Sequence, residues 1–179
     1  MPKDIRRIVT GHAANGLSNI TFEGAATNYL ESPGWPGSRI TEIWVTEETP
    51  VDNTGVADRA ARKIRHDPTP GGTIFRVVEV PPDSKNPRPA DANKAFADLG
   101  STHMPSASDH AKHPGMHVTD SVDYIVVISG EMYMIMEEGE VLLRQGDCIV
   151  QRGTKHAWSN RSGENCIIAV VLVDARPVN

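Results

Sequence analysis

Long apolar runs are missing from this chain of 179 residues. No stretch approaches the roughly 20 apolar residues that a helix needs to cross a bilayer, so a membrane partner is not expected. Charge of one sign is missing too. The net charge is −5 with both signs interspersed, which gives no basic surface for nucleic acid. Aromatic residues make up only 5% and cysteines number two. Cys148 and Cys166 both fall in apolar, β-like runs and read as reduced core residues rather than a disulfide. The opening residues, MPKDIRRIVTGHAANG, lack the apolar centre of a signal peptide. Together these absences predict a cytoplasmic protein. There is no internal repeat, and the length suits one domain with a sizeable core, or a domain plus an ordered arm.

Turns, in contrast, are plentiful, with 13 prolines and 15 glycines. In the first half, RRIVTG, SNITFEG, SRITEIWVTEE and TIFRVVEVPPD are strand candidates separated by Gly, Pro and Asn. Residues 54–65, TGVADRAARKIR, predict a short helix capped by Asn53 or Thr54. Residues 83–115 predict a long loop with a short helix near 91–99, and a loop of this length is usually functional or disordered. From residue 116 strand candidates come at close spacing, at 116–119, 122–128, 131–137, 140–144, 147–151, 156–160 and 166–173. This rhythm predicts an antiparallel sandwich or barrel. The division expected is 1–82 as an N-terminal arm with strands that pad the barrel or swap onto a partner, 83–115 as the loop, and 116–179 as the barrel core, in one structural domain.

In an extended strand, residues two apart share a face. His117, Thr119, Ser121, Asp123, Ile125 and Val127 would then line one side, polar at one end and apolar at the other. A second strand offers His156, Trp158 and Asn160. This arrangement puts a polar pocket at the mouth of a barrel, a common ligand site. Two imidazoles and a carboxylate leave open positions on a divalent metal such as Fe, Mn, Ni or Zn, and residue types alone do not choose among these. By spacing alone, a structural His–Asp pair is the rival reading. Met132, Met134 and Met136 alternate as a core stripe.

The segments HVTDSVDYIVVISGEM and LLRQGDCIVQRGTKHAWSN resemble the two motifs of the cupin superfamily of small β-barrels. Gly146, Asp147, Gly153, His156 and Asn160 fill the second motif. His117, Asp123 and Gly130 fit the first by spacing, with Thr119 where the family has a second histidine and Asp123 where it has glutamate. The match covers residues 113–173. It is closer still to a branch of single-domain cupins with MHxTxxxDY and QRGTxHAW motifs, several of them encoded beside aromatic-degradation or polyketide genes.

The resemblance implies an all-β, jelly-roll-like cupin barrel with extra N-terminal strands and one or two short helices. It implies His117, Asp123 and His156 as catalytic residues and as ligands of a divalent metal, with His113 as a candidate extra ligand. Thr119, Tyr124, Arg152 and Trp158 are the candidate substrate-binding residues. Arg152 is read as a clamp for a substrate carboxylate or as the partner of a local acid. The function implied is a metal-dependent enzyme on a small organic acid or ketone, aromatic or polyketide-derived, with dioxygenase, decarboxylase and isomerase chemistry open. The alternatives are metal-free acid–base catalysis, in which Asp123 holds the tautomer of His117 or His156, and a non-catalytic barrel that binds a small ligand. Open sheet edges predict a homodimer. Light scattering at micromolar concentration should give twice the 19.5 kDa chain mass, and a stable monomer would count against it.

Overall fold

In a computed structural model of the chain, residues 4–31, 35–85 and 92–177 are described. Period-two alternation of β-branched residues produces two facing sheets. The larger holds six antiparallel strands in the order β3-β4-β5-β11-β6-β9. These are β3 (Tyr29–Glu31), β4 (Arg39–Thr46), β5 (Thr73–Val80), β6 (Ser121–Ser129), β9 (Cys148–Arg152) and β11 (Cys166–Asp174). The smaller holds β10 (His156–Ser159), β7 (Glu131–Met136) and β8 (Glu140–Arg144), in that order. A separate hairpin pairs β1 (Arg6–His12) with β2 (Ser18–Ala25). The result is an all-β, jelly-roll-like barrel. No helix among the described residues is long and apolar enough to cross a membrane.

Burial in β6 and β11 alternates along each strand, so Asp123, Ile125 and Val127 face inward beside Leu172, Val170 and Ile168. The core between the sheets joins this face to Met132, Met134 and Leu143 of the smaller sheet. Each such side chain contributes about 1.5–3 kcal/mol by leaving water. The methionine stripe is therefore core, as its spacing predicts. The β6–β7 turn needs Gly130: its φ is +77°, and a Cβ there would stand 2.6 Å from the Asn165 carbonyl oxygen.

The N-terminal strands reach further into the barrel than their scattered sequence suggests. β5 lies between β4 and β11, well inside the six-stranded sheet. The register sets Glu42 beside Arg76 and Arg76 beside Val170, so two charged residues stand on an otherwise apolar inner face.

The helix expected at 54–65 does not form; the segment runs through turns and irregular backbone. A helix of 12 residues has little stability of its own, and here tertiary ties prevail. Asp58 takes both guanidinium nitrogens of Arg7, at 2.9 and 2.5 Å. The Asn28 side chain donates to the carbonyls of Ala60 and Arg62. In the long connection, α1 (Ala92–Asp98) falls where a helix is expected. A second helix, α2 (Ala107–Lys112), starts at a capping box between Ser106 and Asp109. Lys155 and Ser106 hold the Asp109 carboxyl down to about 2, which ties α2 to the start of β10. His117 lies outside any strand but forms an isolated bridge with His156. Cys166 is buried, while Cys148 faces outward from β9 and is exposed, so only one of the two cysteines is core.

Met132 is 1% exposed at the centre of the inter-sheet core. Replacing it with alanine should lower unfolding free energy by about 2–5 kcal/mol in urea titrations, and a loss below about 1 kcal/mol would contradict this packing.

Candidate functional site

A cavity of about 640 Å³ opens between the sheets. Its apolar wall comes from the inward faces of β5, β6 and β11, including Val78, Ile125 and Val170, and Trp35, Phe96 and Trp158 add aromatic surface. The polar wall includes four histidines, His66, His113, His117 and His156, and three of them stand in ring contact. His117 and His156 lie with ring centres 4.3 Å apart, and His66 packs edge-on against His117 at 5.1 Å.

Each of these three imidazoles is held through Nδ1. The Asp67 carboxylate sits 2.6 Å from His66 Nδ1 and takes the backbone N–H and hydroxyl of Thr102 on its other oxygen. Although burial works to raise it, these bonds hold the Asp67 carboxyl below its usual value, so at neutral pH it accepts only. Nδ1 of His66 therefore donates to Asp67, and Nε2 is the ring nitrogen left without this tether. His117 Nδ1 donates to the Gly115 carbonyl at 2.8 Å, which again leaves Nε2 bare. His156 differs, because its Nδ1 lies 3.0 Å from the Thr154 carbonyl and 2.8 Å from the Gln151 side-chain nitrogen. It can donate to one or accept from the other, so either tautomer keeps a partner. Gln151 is itself fixed by Thr154, whose N–H and hydroxyl it accepts.

Burial lowers the affinity of His117 for a second proton well below the ordinary value, and the neighbouring His156 and His66 push the same way. Burial also brings His156 down to about 4. Both rings are neutral at pH 7. Beside them stands a guanidinium. Arg76 lines the cavity and is 5% exposed. Its Nη2 donates to the Arg65 carbonyl at 2.6 Å and to Glu42 at 3.3 Å. Burial raises both Glu42 and Asp123 above the usual carboxyl range, even with Arg76 nearby. Ser121 donates to Asp123 at 2.5 Å and lies 2.7 Å from the Thr119 hydroxyl.

The structure brings His117, His156, Thr119, Asp123, Trp158 and His113 to one cavity. It does not bring Tyr124 and Arg152 there. Inward Asp123 forces its neighbour Tyr124 outward, where it is 55% exposed. Arg152 pairs across from Val122 on that outer side and is exposed. A substrate-binding role for these two does not follow from their positions. Nor does Asp123 orient a histidine: its hydrogen bond comes from Ser121, and Arg76 is the cation that bears on it. The carboxylate that orients an imidazole is Asp67.

The expected metal set fails for the same reason. Asp123 is turned to Ser121 and Arg76. Among the described residues, no three His, Cys, Asp or Glu side chains come together at metal-ligand spacing. The residues do not fit the His117, Asp123 and His156 centre, and no step through a metal is derived from it.

His66, Asp67, Arg76 and Glu42 lie outside both sequence motifs. Two signals were present. The His-Asp dipeptide sits at the start of a loop, and Arg76 interrupts the apolar face Ile74, Val78, Val80 at period two.

The profile of the Cupin domain family, Cupin_2, matches residues 104–173. Phomopsin biosynthesis cluster protein C' of Diaporthe leptostromiformis is 31% identical over 96% of this chain and 79% of its own length. The cupin-domain-containing oxidoreductase virC of Hypocrea virens is 27% identical over 96% of this chain and 77% of its own. Among solved structures, the polyketide cyclase RemF of Streptomyces resistomycificus aligns with a TM-score of 0.44 and 15% identity, over 99% of this chain and 83% of that one. An RmlC-like cupin protein with a double-stranded β-helix fold from Methanocaldococcus jannaschii aligns at 0.36 and 14%, over 57% and 70%. With both motif segments inside the matched region and a two-sheet barrel around them, the chain belongs to the cupin superfamily.

Proposed function

We propose that the chain is an enzyme of small-molecule biosynthesis that moves protons on a compact, largely apolar substrate bearing a carbonyl or hydroxyl group. The observation that carries this reading is the wall of three Nδ1-tethered imidazoles, headed by the His66–Asp67 pair, facing an apolar and aromatic cavity. His66 Nε2 is the general base that takes a proton from carbon next to the carbonyl. The His66 imidazolium so formed returns the proton to carbon or exchanges it with solvent. His156, in the tautomer whose Nδ1 accepts from Gln151, directs its Nε2–H at the oxygen as a hydrogen-bond donor. Arg76 and the Asp123 carboxyl polarise that oxygen, and the aromatic side chains hold the substrate body. Such positioned acid–base groups contribute about 10²–10⁴-fold to rate. Relatives named as biosynthesis-cluster proteins and as oxidoreductases support an enzyme in such a setting.

The test is deuterium exchange. Aryl ketones and β-diketones incubated in D₂O with the protein should lose their α-proton signal by NMR. His66→Asn should slow the exchange by about 10²-fold or more, and Asp67→Asn by a smaller factor, with binding of the probe retained in both. A probe that binds without exchange would establish a binding barrel instead. Elemental analysis of untagged protein runs alongside. One equivalent of transition metal, lost together with exchange in His117→Ala, would overturn the metal-independent reading.

The pH dependence of stability checks the buried rings. An unfolded histidine takes its proton near 6.5, whereas folded His156 does so only at about 4. Below about pH 6.5 the unfolded state binds more protons, so stability falls as pH drops through this window, by roughly 3 kcal/mol in all for this one ring. Glu42 and Asp123, raised by burial, act in the opposite sense. The difference between wild type and His156→Gln isolates the ring. Urea unfolding between pH 6.5 and 4.5 should show the wild type losing stability faster than the variant.

A further inference from the structure

A second cleft, of about 530 Å³, lies behind the His66 wall. Its lining includes Arg59, Arg62, Lys63 and Arg65 with a single acid, Glu47. These four cations occupy the seven residues 59–65, with no acid among them, in a chain whose net charge is −5. Two are already engaged. Arg62 pairs with Glu47 at 2.6 Å, and Arg59 donates to the Asp52 carbonyl. The side chains of Lys63 and Arg65 have no ion pair among the described residues, and Arg65 is half-buried. Holding a half-buried guanidinium beside three like charges is unfavourable unless an anion joins them.

We infer that this cleft is a binding site for a phosphate group, distinct from the histidine cavity. A doubly charged tetrahedral group offers enough acceptor oxygens for Lys63 and Arg65 together, where a carboxylate is satisfied by one guanidinium fork. The cleft also touches the main cavity's wall. Leu99 lines both spaces, and the His66 N–H donates to the Leu99 carbonyl at 2.8 Å. The Arg65 carbonyl accepts from Arg76. An anion that fixes residues 59–65 thereby fixes the segment that carries His66. The inference stands on the cleft alone and does not depend on the proton-transfer reading.

Amide chemical shifts of ¹⁵N-labelled wild-type protein test it, with ionic strength held constant by sodium chloride. Sodium phosphate should move the Lys63, Arg65 and Gly100 signals saturably. Phenyl phosphate separates the two sources of such a group. Affinity about tenfold or more above that of inorganic phosphate marks an organic phosphoester, and equal affinity marks the free ion. In Lys63→Ala/Arg65→Ala the affinity should fall by about tenfold or more, the loss of one or more charge-assisted hydrogen bonds. Unmoved Ile125 and Val170 signals, in the inter-sheet core away from the cleft, establish that the free variant folds. Equal shifts with chloride alone, shifts instead at Lys112 and Arg161, two cations that line the histidine cavity, or undiminished binding in the double variant would each overturn the proposal.

Discussion

The chemistry of the site depends on removing imidazole from water. In an apolar barrel a charged ring loses its hydration and gains little in return, so His117 and His156 stay neutral. That neutrality makes the rest possible. Neutral rings pack against one another without repulsion, as His117 and His156 do with ring centres 4.3 Å apart. They also leave Nε2 free once Nδ1 is tethered. The tethers are of unequal kinds. Asp67 is an ionised acceptor and fixes the His66 tautomer, the Gly115 carbonyl does the same for His117, and the Thr154–Gln151 pair leaves His156 free to switch. Three chemically identical side chains thus receive different tethers from the atoms behind them.

Much of the barrel was legible in the sequence. The strands from β6 to β11 show period two with turn residues between them, and local sterics decide both. The cupin motifs set His117 and His156 on one wall, and the polar-to-apolar gradient along β6 is real. The helix expected at 54–65 was not legible as a loop, because its propensity was sound and only the distant Arg7 and Asn28 override it. Arg152 and Tyr124 stand outside the cavity for a different reason. Motif membership says nothing about which side of the sheet a residue takes, whereas alternation from Asp123 does.

The larger omission was His66. Its role rests on contacts with His117, about fifty residues later in the chain, and on Phe96 in the long connection. No spacing rule reaches that far. Arg76 and Glu42 left a fainter trace, as charges on inward positions of strands that otherwise bury apolar groups. A charge at such a place is costly to keep, and cost without structural gain points to a site.

This divides the molecule by origin. The family match begins at residue 104, and from that region come β6 to β11, the paired rings of His117 and His156, and Asp123. The imidazole oriented by Asp67 and the buried cation Arg76 come from upstream, on β5 and the loop before it. β5 is hydrogen-bonded to β11 along eight residue pairs, so the upstream half cannot shift without disturbing the motif half. The shared barrel fixes where the rings stand. The residues that precede it determine what charge and which proton acceptor a substrate meets there, and relatives that differ in these residues would meet their substrates with a different chemistry on the same fold.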